Sequence, residues 1–324
     1  MSRAIVVHQT GGAEVLTLER DWPLASPGPG QVALRQSAIG LNFIDTYQRS
    51  GLYPVQTPFV AGNEGAGVVT ALGEGVTGIK VGDRVAYQGQ TGAYADERLV
   101  IAERVVPIPD GIDDQTAAAI LLKGLTAFYL LFKTWPLAKG ETVLWHAAAG
   151  GTGQIATQWA KALGATVIGT AGSADKLALA KANGCDHVIN YNSEDFSARV
   201  RELTGGKGVD VVYDGVGKAT FEKSLDCLRS RGLMVSFGNA SGVVAIPDVT
   251  VLSRKGSLYL TRPTSNTYFQ TRAELLEGAE ALFGAVLSGA IKVDIGRTYR
   301  LDQAQDAHRA LEARETTGSV VLLP

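Results

Sequence analysis

The run Thr142-Val-Leu-Trp-His-Ala-Ala-Ala-Gly-Gly-Thr-Gly153 constrains the fold of this chain more than any other stretch. A short apolar strand enters a glycine turn, Gln154–Leu163 has the composition of a helix stopped by Gly164, and 165–170 reads as a second strand. A βαβ unit follows from that order. Glycines at the turn let backbone N–H groups approach an anion closely, and the helix N-terminus adds unpaired donors and a partial positive charge. That combination suits a dinucleotide pyrophosphate. The usual Gly-x-Gly-x-x-Gly spacing is here Ala148-Ala149-Gly150-Gly151-Thr152-Gly153, and a methyl group at the first position is accommodated if its backbone keeps a negative φ. Alone, such a triplet is often only a tight turn. Its strand–helix–strand setting makes Gly150, Gly151, Thr152 and Gly153 candidate phosphate contacts.

At 324 residues the chain suits two domains of ordinary size. Up to about Leu122 it reads as short strands and turns, such as Gln31–Arg35, Gly67–Leu72, Asp83–Tyr87 and Glu97–Ile101, which predicts a partly closed antiparallel β domain. From about Gly124 to Arg262 the rhythm becomes strand–helix alternation. Strands are predicted at Val143–Trp145, Thr166–Gly169, His187–Asn190, Asp210–Tyr213, Leu233–Phe237 and Ser257–Leu260, with helices such as Ala174–Asn183 and Phe196–Thr204 between them. A doubly wound parallel sheet is expected. The tail carries a long helix over Ala273–Ser288, a strand near Thr298, a helix over Ala304–Ala313 and a last strand, Ser319–Leu323.

No apolar run reaches 18 residues, so no membrane span is expected, and the opening Met1–Val7 reads as a strand and not as a secretion signal. A cytoplasmic location is the expectation. A net charge of −2 without a basic cluster gives no reason to expect nucleic acid as a partner. Cys185 and Cys227 lack ligand-like neighbours and read as buried thiols; His146, directly after an apolar strand, reads as a satisfied core histidine.

Cofactor preference is written after the second strand, where NAD-binding folds place an Asp or Glu on the ribose hydroxyls. Here the segment runs Gly169-Thr-Ala-Gly172-Ser173-Ala-Asp-Lys176, with no carboxylate at the strand end. Gly172, Ser173 and Lys176 would accommodate a 2′-phosphate, which favours NADPH. On the plainer reading Ser173 is a helix N-cap, Asp175 a first-turn acid and Lys176 a solvated cation. Both readings hold at once for a capping serine, and Asp175 is the dissenting residue.

The segment Leu144 to Lys161, with Leu144, Ala148-Ala149-Gly150-Gly151, Gly153, Gln158 and Lys161, resembles the signature of the zeta-crystallin-like quinone oxidoreductases, a zinc-free branch of the medium-chain dehydrogenase/reductase superfamily. Gly40-Leu-Asn-Phe-Ile-Asp-Thr-Tyr-Gln-Arg-Ser-Gly51, the stretch 75–85, Lys123-Gly-Leu-Thr126 and the stretch 232–239 are similar to the same branch, so the resemblance covers essentially the whole chain. It implies an α/β fold: a Rossmann doubly wound domain over 124–262, plus a GroES-like, mostly β catalytic domain over 1–123 completed by a C-terminal tail over 263–324. It also implies a homodimer joined through edge strands of the Rossmann domains, here 255–261. Zinc-dependent relatives of that superfamily carry a cysteine near Asn42, a histidine where Asn63 precedes Glu64, a cysteine near Leu122–Lys123 and a four-cysteine lobe where this chain has 86–92. With those ligands replaced, no metal site is expected.

A quinone accepts reducing equivalents without a metal, because its carbonyls are already electron-poor. The resemblance places Asn42, Asp45, Thr46 and Tyr47 beside the nicotinamide, with Asn42, Tyr47 and Asp45 as candidate catalytic groups and Asn42 and Thr46 as cofactor contacts. A loop asparagine and a half-buried tyrosine are the bland alternative. Further cofactor contacts implied in the same way are Thr126, Tyr129, Tyr191, Gly215, Val216, Phe237, Gly238, Asn239, Arg262, Pro263 and Thr264; the alternatives are an ordinary strand-end aromatic for Tyr191 and an interdomain salt bridge for Arg262. The expected reaction is NADPH-dependent quinone reduction; enone or enoyl reduction, and a non-catalytic nucleotide- or RNA-binding role, are the alternatives.

Overall fold

The computed structural model describes residues 2–246 and 248–324; Met1, which begins the expected opening strand, lies outside them. The chain packs as two units, one of Met1–Leu125, Phe269–Leu287 and Val293–Pro324, the other of Thr126–Tyr268 and Ser288–Lys292.

In the second unit six strands form one parallel sheet: Thr142–Trp145, Thr166–Ala171, His187–Asn190, Val209–Asp214, Leu228–Ser236 and Tyr259–Thr261. Numbered by sequence, their spatial order is 3-2-1-4-5-6, the doubly wound Rossmann arrangement. Leu144, Ile168, Ile189, Val212 and Met234 are buried in one core, as expected for strands covered by helices on both faces. Burying each such side chain contributes about 1.5–3 kcal/mol. Because every neighbouring pair is parallel, the carboxyl ends of all six strands lie along one edge of the sheet.

The first unit is built on Gln31–Leu41, the longest of its strands at 11 residues. Glu64–Leu72 runs antiparallel along one side; Glu97–Ile101 pairs with its first half, and Ser319–Leu323 with its last residues. The tail therefore completes this GroES-like sheet. Ile295–Arg300 joins Ser319–Leu323 in parallel, the one departure from the antiparallel expectation in this seven-stranded sheet. Ser2–Val7, Leu16–Trp22 and Phe59–Val60 form a second, three-stranded sheet.

Besides Phe43–Arg49, which stands where strands and turns are expected, two helices differ from the sequence reading. The helix Asp114–Phe128 fills a region expected to be strands and turns. Ala117 to Leu121 are all fully buried, so its apolar residues surround the axis and leave no amphipathic period to detect. Asp113 caps it, accepting from the Thr116 backbone N–H at 2.8 Å. With the following π-helical turn Tyr129–Thr134, this is the one segment among the described residues long and apolar enough to cross a membrane, and most of it is buried inside the protein. The second difference is the glycine-turn helix, which starts at Gly151 rather than Gln154. Gly151, Thr152 and Gly153 thus form its first turn, where the unpaired backbone donors lie.

Candidate functional site

In the parallel-sheet unit, the predicted cofactor residues follow the carboxyl ends of the strands, except Thr126 and Tyr129, which precede the first strand. The glycine turn leaves the strand Thr142–Trp145 through Ala147, whose φ of 53° is left-handed. Ala148 is absent from the positive-φ residues, as its place in the fingerprint requires. Gly150 is the extended N-cap residue at φ −78°, ψ 168°. A Cβ on Gly153 would sit 2.5 Å from the Ala147 carbonyl oxygen and 2.8 Å from the Ala148 carbonyl carbon, so the helix starts in a space only glycine fits. His146 is buried below, its ring nitrogens 2.9 Å from Thr170 Oγ1 and 2.9 Å from Ser224 Oγ. Burial pushes its pKa down, partly countered by Asp214. It is the satisfied core histidine expected.

A second group lies at the ends of Thr166–Ala171 and His187–Asn190. Ser173 caps the helix Ala174–Ala182, its hydroxyl accepting from the Lys176 N–H at 3.4 Å, and Asp175 is exposed in the first turn. Tyr191 comes to the same place: a Cβ on Gly172 would lie 2.5 Å from its hydroxyl. Asn192, which sequence reasoning missed, donates from Nδ2 to the Gly172 carbonyl at 2.8 Å. No acidic side chain stands at the end of Thr166–Ala171 before Asp175.

The third group joins the ends of the last three strands. The turns at Gly215 and Gly238 approach so closely that a Cβ on Gly238 would strike the Gly215 backbone. Phe237 N–H donates to the Asp214 carbonyl at 2.8 Å, and Ser241 N–H to that of Val216 at 2.7 Å. Arg262 Nη1 donates to the Ser236 carbonyl at 2.8 Å and to that of Gly238 at 3.3 Å, tying Phe237, Gly238 and Asn239 to its own strand end. Pro263 is buried behind it, and the Thr264 carbonyl accepts from Thr267 Oγ1 at 2.9 Å. Asp214, also missed, is fully buried and accepts from the N–H groups of Val216 at 2.8 Å and Gly217 at 3.0 Å. Thr126 is half-buried, while Tyr129 stacks on Tyr268 with centroids 4.7 Å apart in the π-helical turn, a distortion that often accompanies functional sites.

In the other unit, Asn42, Asp45, Thr46 and Tyr47 open the helix Phe43–Arg49. Asn42 is the N-cap. Its backbone N–H donates to Asp45 Oδ2 at 2.8 Å, and its Nδ2 donates to Glu64 Oε2 at 2.7 Å. Asp45 is 1 % exposed, with Asn63 Nδ2 at 2.7 Å from Oδ1 and the Tyr94 hydroxyl at 2.9 Å from Oδ2. Burial pushes the Asp45 carboxyl up to about 6, against the opposing pull of Asn63, Asn42, Tyr94 and Lys123. Thr46 is buried and donates its hydroxyl to the Phe43 carbonyl at 2.8 Å. Tyr47 is half-buried, its ring set edge-on to Tyr53 at 5.2 Å. A groove of about 530 Å³ opens beside this cluster, lined in part by Gln48, Val55, Asn63, Gln90 and Arg98.

The same cluster tests whether zinc fits. The Asn42 and Asn63 amides each direct an N–H at a carboxylate, and Lys123 Nζ lies 3.4 Å from Glu64 Oε2. A lysine ammonium thus supplies the positive charge where a ligand would be needed, and it has no lone pair to offer. Among the described residues no three His, Cys, Asp or Glu side chains group as metal ligands. These donors do not fit a zinc ion. Cys185 and Cys227 are free, buried thiols; burial pushes Cys185 up to about 12 and Cys227 higher still.

Comparison with known proteins agrees with this architecture. Residues 28–110 match the alcohol dehydrogenase GroES-like domain family and residues 151–277 the zinc-binding dehydrogenase family. The chain is 53 % identical to a quinone oxidoreductase of Pseudomonas aeruginosa, over 100 % of both chains. It is 47 % identical to a 2-haloacrylate reductase of a Burkholderia species, over 100 % of this chain and 99 % of that one. The crystal structure of Escherichia coli quinone oxidoreductase complexed with NADPH superposes with a TM-score of 0.97 at 50 % identity, again over 100 % of both chains. On the strength of that full-length likeness and of the two-unit fold that carries it, the chain belongs to the quinone oxidoreductase family.

Proposed function

We propose that this protein reduces quinones with NADPH and without a metal. The observation that carries the reading is the carboxyl edge of the parallel sheet. There, a helix start whose Gly153 leaves no room for a Cβ offers the place for a pyrophosphate, and the second strand ends without an acid that would repel a 2′-phosphate. Bound there, NADPH supplies the reducing equivalents. The chain's own part is to hold it. Gly150, Gly151, Thr152 and Gly153 take the pyrophosphate; Ser173, Lys176 and Tyr191 surround the 2′-phosphate. Gly215, Val216, Phe237, Gly238, Asn239 and Arg262 support the nicotinamide half, with Thr126, Tyr129, Pro263 and Thr264 as further contacts.

Asn42 and Tyr47 face the acceptor. Reduction places negative charge on a quinone oxygen, and a hydroxyl or amide N–H aimed at it lowers the barrier. Asp45, buried and accepting from three donors, acts by positioning Asn42 rather than by giving up a proton. NADPH oxidation should be rapid with 1,4-benzoquinone or 9,10-phenanthrenequinone and slow with 2-alkenals or enoyl thioesters. The likeness to a 2-haloacrylate reductase gives the C=C reading its support, and turnover confined to the alkenals would establish that reading instead.

The strand Tyr259–Thr261 ends the sheet, with Tyr259 59 % exposed. A second copy pairing there would bury that edge. Light scattering coupled to gel filtration is expected to give a dimer mass, and a monomer mass at micromolar concentration would refute it.

A further inference from the structure

A chain of hydrogen-bonded side chains leads away from Asn42, and Arg49, His308 and Tyr94, its outer members, have no part in holding cofactor or acceptor in the proposed function. Arg49, 3 % exposed, closes the helix Phe43–Arg49. Its Nη2 and Nη1 donate to the two carboxylate oxygens of Glu312 at 2.7 and 3.0 Å, and its Nε donates to the Gly11 carbonyl at 3.1 Å. Nη1 also lies 3.1 Å from His308 Nδ1, on the helix Ala304–Glu312. A guanidinium only donates, so Nδ1 must be the lone-pair nitrogen of His308 and Nε2 must carry the proton. His308 Nε2 lies 3.0 Å from the Tyr94 hydroxyl, which therefore receives that hydrogen and turns its own toward Asp45 Oδ2 at 2.9 Å. Every hydrogen in the chain points the same way: Arg49 to His308, His308 to Tyr94, Tyr94 to Asp45.

Burial of the neutral ring fits this order. His308 is pushed down to about 3, first by burial and then by Arg49. Tyr94 is pushed well above its ordinary value by burial and by the Asp45 charge. Neither changes protonation near neutrality, so the direction of the chain is fixed. Asp45 is the member that titrates in an accessible range.

We propose that Tyr94 and His308 are positioning residues for quinone reduction: their one-way hydrogen bonds keep the Asp45 carboxylate ionised, and that carboxylate holds Asn42 and the first turn of its helix in the working geometry. The proposal rests on the assignment of Asn42 to the acceptor side. Other charged or titratable groups around Asp45 are Lys123, which favours its charged form, and Tyr87 and Glu64, which share its field. Above about 6 the carboxylate accepts from the Asn42 N–H, Asn63 and Tyr94 together. Below that pH it carries a proton, one acceptor position is lost, and the N-cap loosens. Activity should fall as the solution becomes acidic.

The test is the pH profile of kcat/KM for 1,4-benzoquinone at saturating NADPH, from pH 5.5 to 9, for the wild type, Tyr94→Phe and Asp45→Asn. Phenylalanine keeps the ring and removes one donor to the carboxylate. A hydrogen bond to a charged group is worth about 1.5–3 kcal/mol, so the acid limb should move up by about one to two pH units. NADPH affinity measured by calorimetry at pH 7.5 should stay within about twofold, because Asp45, Arg49, Tyr94 and His308 all belong to the β unit and the glycine turn to the other. Asp45→Asn should lower activity and flatten the limb. A Tyr94→Phe profile that superposes on the wild type, or an acid limb that survives Asp45→Asn, overturns the proposal. Failure of the wild type to oxidise NADPH with any quinone would instead overturn the functional assignment beneath it.

Discussion

The sheet edge around Gly153 and the cluster around Asn42 are built on opposite plans. The former is made of backbone: glycines that admit no Cβ, carbonyls bonded to neighbouring turns, and few charged side chains. The latter is made of side chains: Glu64, Asp45, Asn42, Asn63, Tyr94, Lys123 and His308 are all buried and joined to one another. A backbone site is damaged by added volume, a side-chain site by lost polarity. The two plans therefore predict different failures for substitutions of similar size.

The largest effect should come from Glu64→Ala. Glu64 is fully buried and accepts from the Leu122 N–H at 2.5 Å, from Asn42 and from Lys123. Its removal leaves the buried Lys123 ammonium without its carboxylate, and breaking such a pair costs about 3–5 kcal/mol. Urea denaturation should show that loss, and a midpoint close to the wild type would mean that the cluster repacks as freely as a surface. Next is Gly153→Val, which tests added volume. Overpacking at the Ala147 carbonyl should cost about 1–3 kcal/mol and weaken NADPH binding at least tenfold, as read by titration calorimetry. An unchanged affinity would remove the backbone argument for the sheet edge. The smallest expected change is Lys176→Ala, which removes one half-buried cation in the first turn of Ala174–Ala182. It should raise the KM for NADPH severalfold and leave that for NADH nearly unchanged; equal effects on both would contradict the 2′-phosphate assignment.

How much of this could be read from the chain follows the same division. The sheet edge was legible because its logic is local: strand, glycine, helix and strand recur within thirty residues, and Ala148 in the first glycine place kept its expected backbone. The helix start was displaced to Gly151 because low helix propensity gives way where a first turn has no intrahelical bonds to lose. The side-chain cluster was only half legible. Asn42, Asp45 and Tyr47 came from one motif, and Asn63 and Lys123 stood at positions where zinc-dependent relatives hold ligands. Tyr94 and His308 left no trace, since they are 214 residues apart and each looks ordinary in its own segment. The helix Asp114–Phe128 was invisible for a third reason, being apolar on all sides.

The pairing of Ser319–Leu323 with Gln31–Leu41 has a consequence for synthesis. As the ribosome delivers this chain, the unit that starts first is finished last, because the segment that closes it emerges some 280 residues later. The inserted parallel-sheet unit, whose strands all lie between Thr142 and Thr261, is complete well before that. Nascent chains should thus carry a folded nucleotide half beside a β half still waiting for a neighbour, and a nonsense mutation near the 3′ end of the coding sequence would spare the first while leaving the second unfinished.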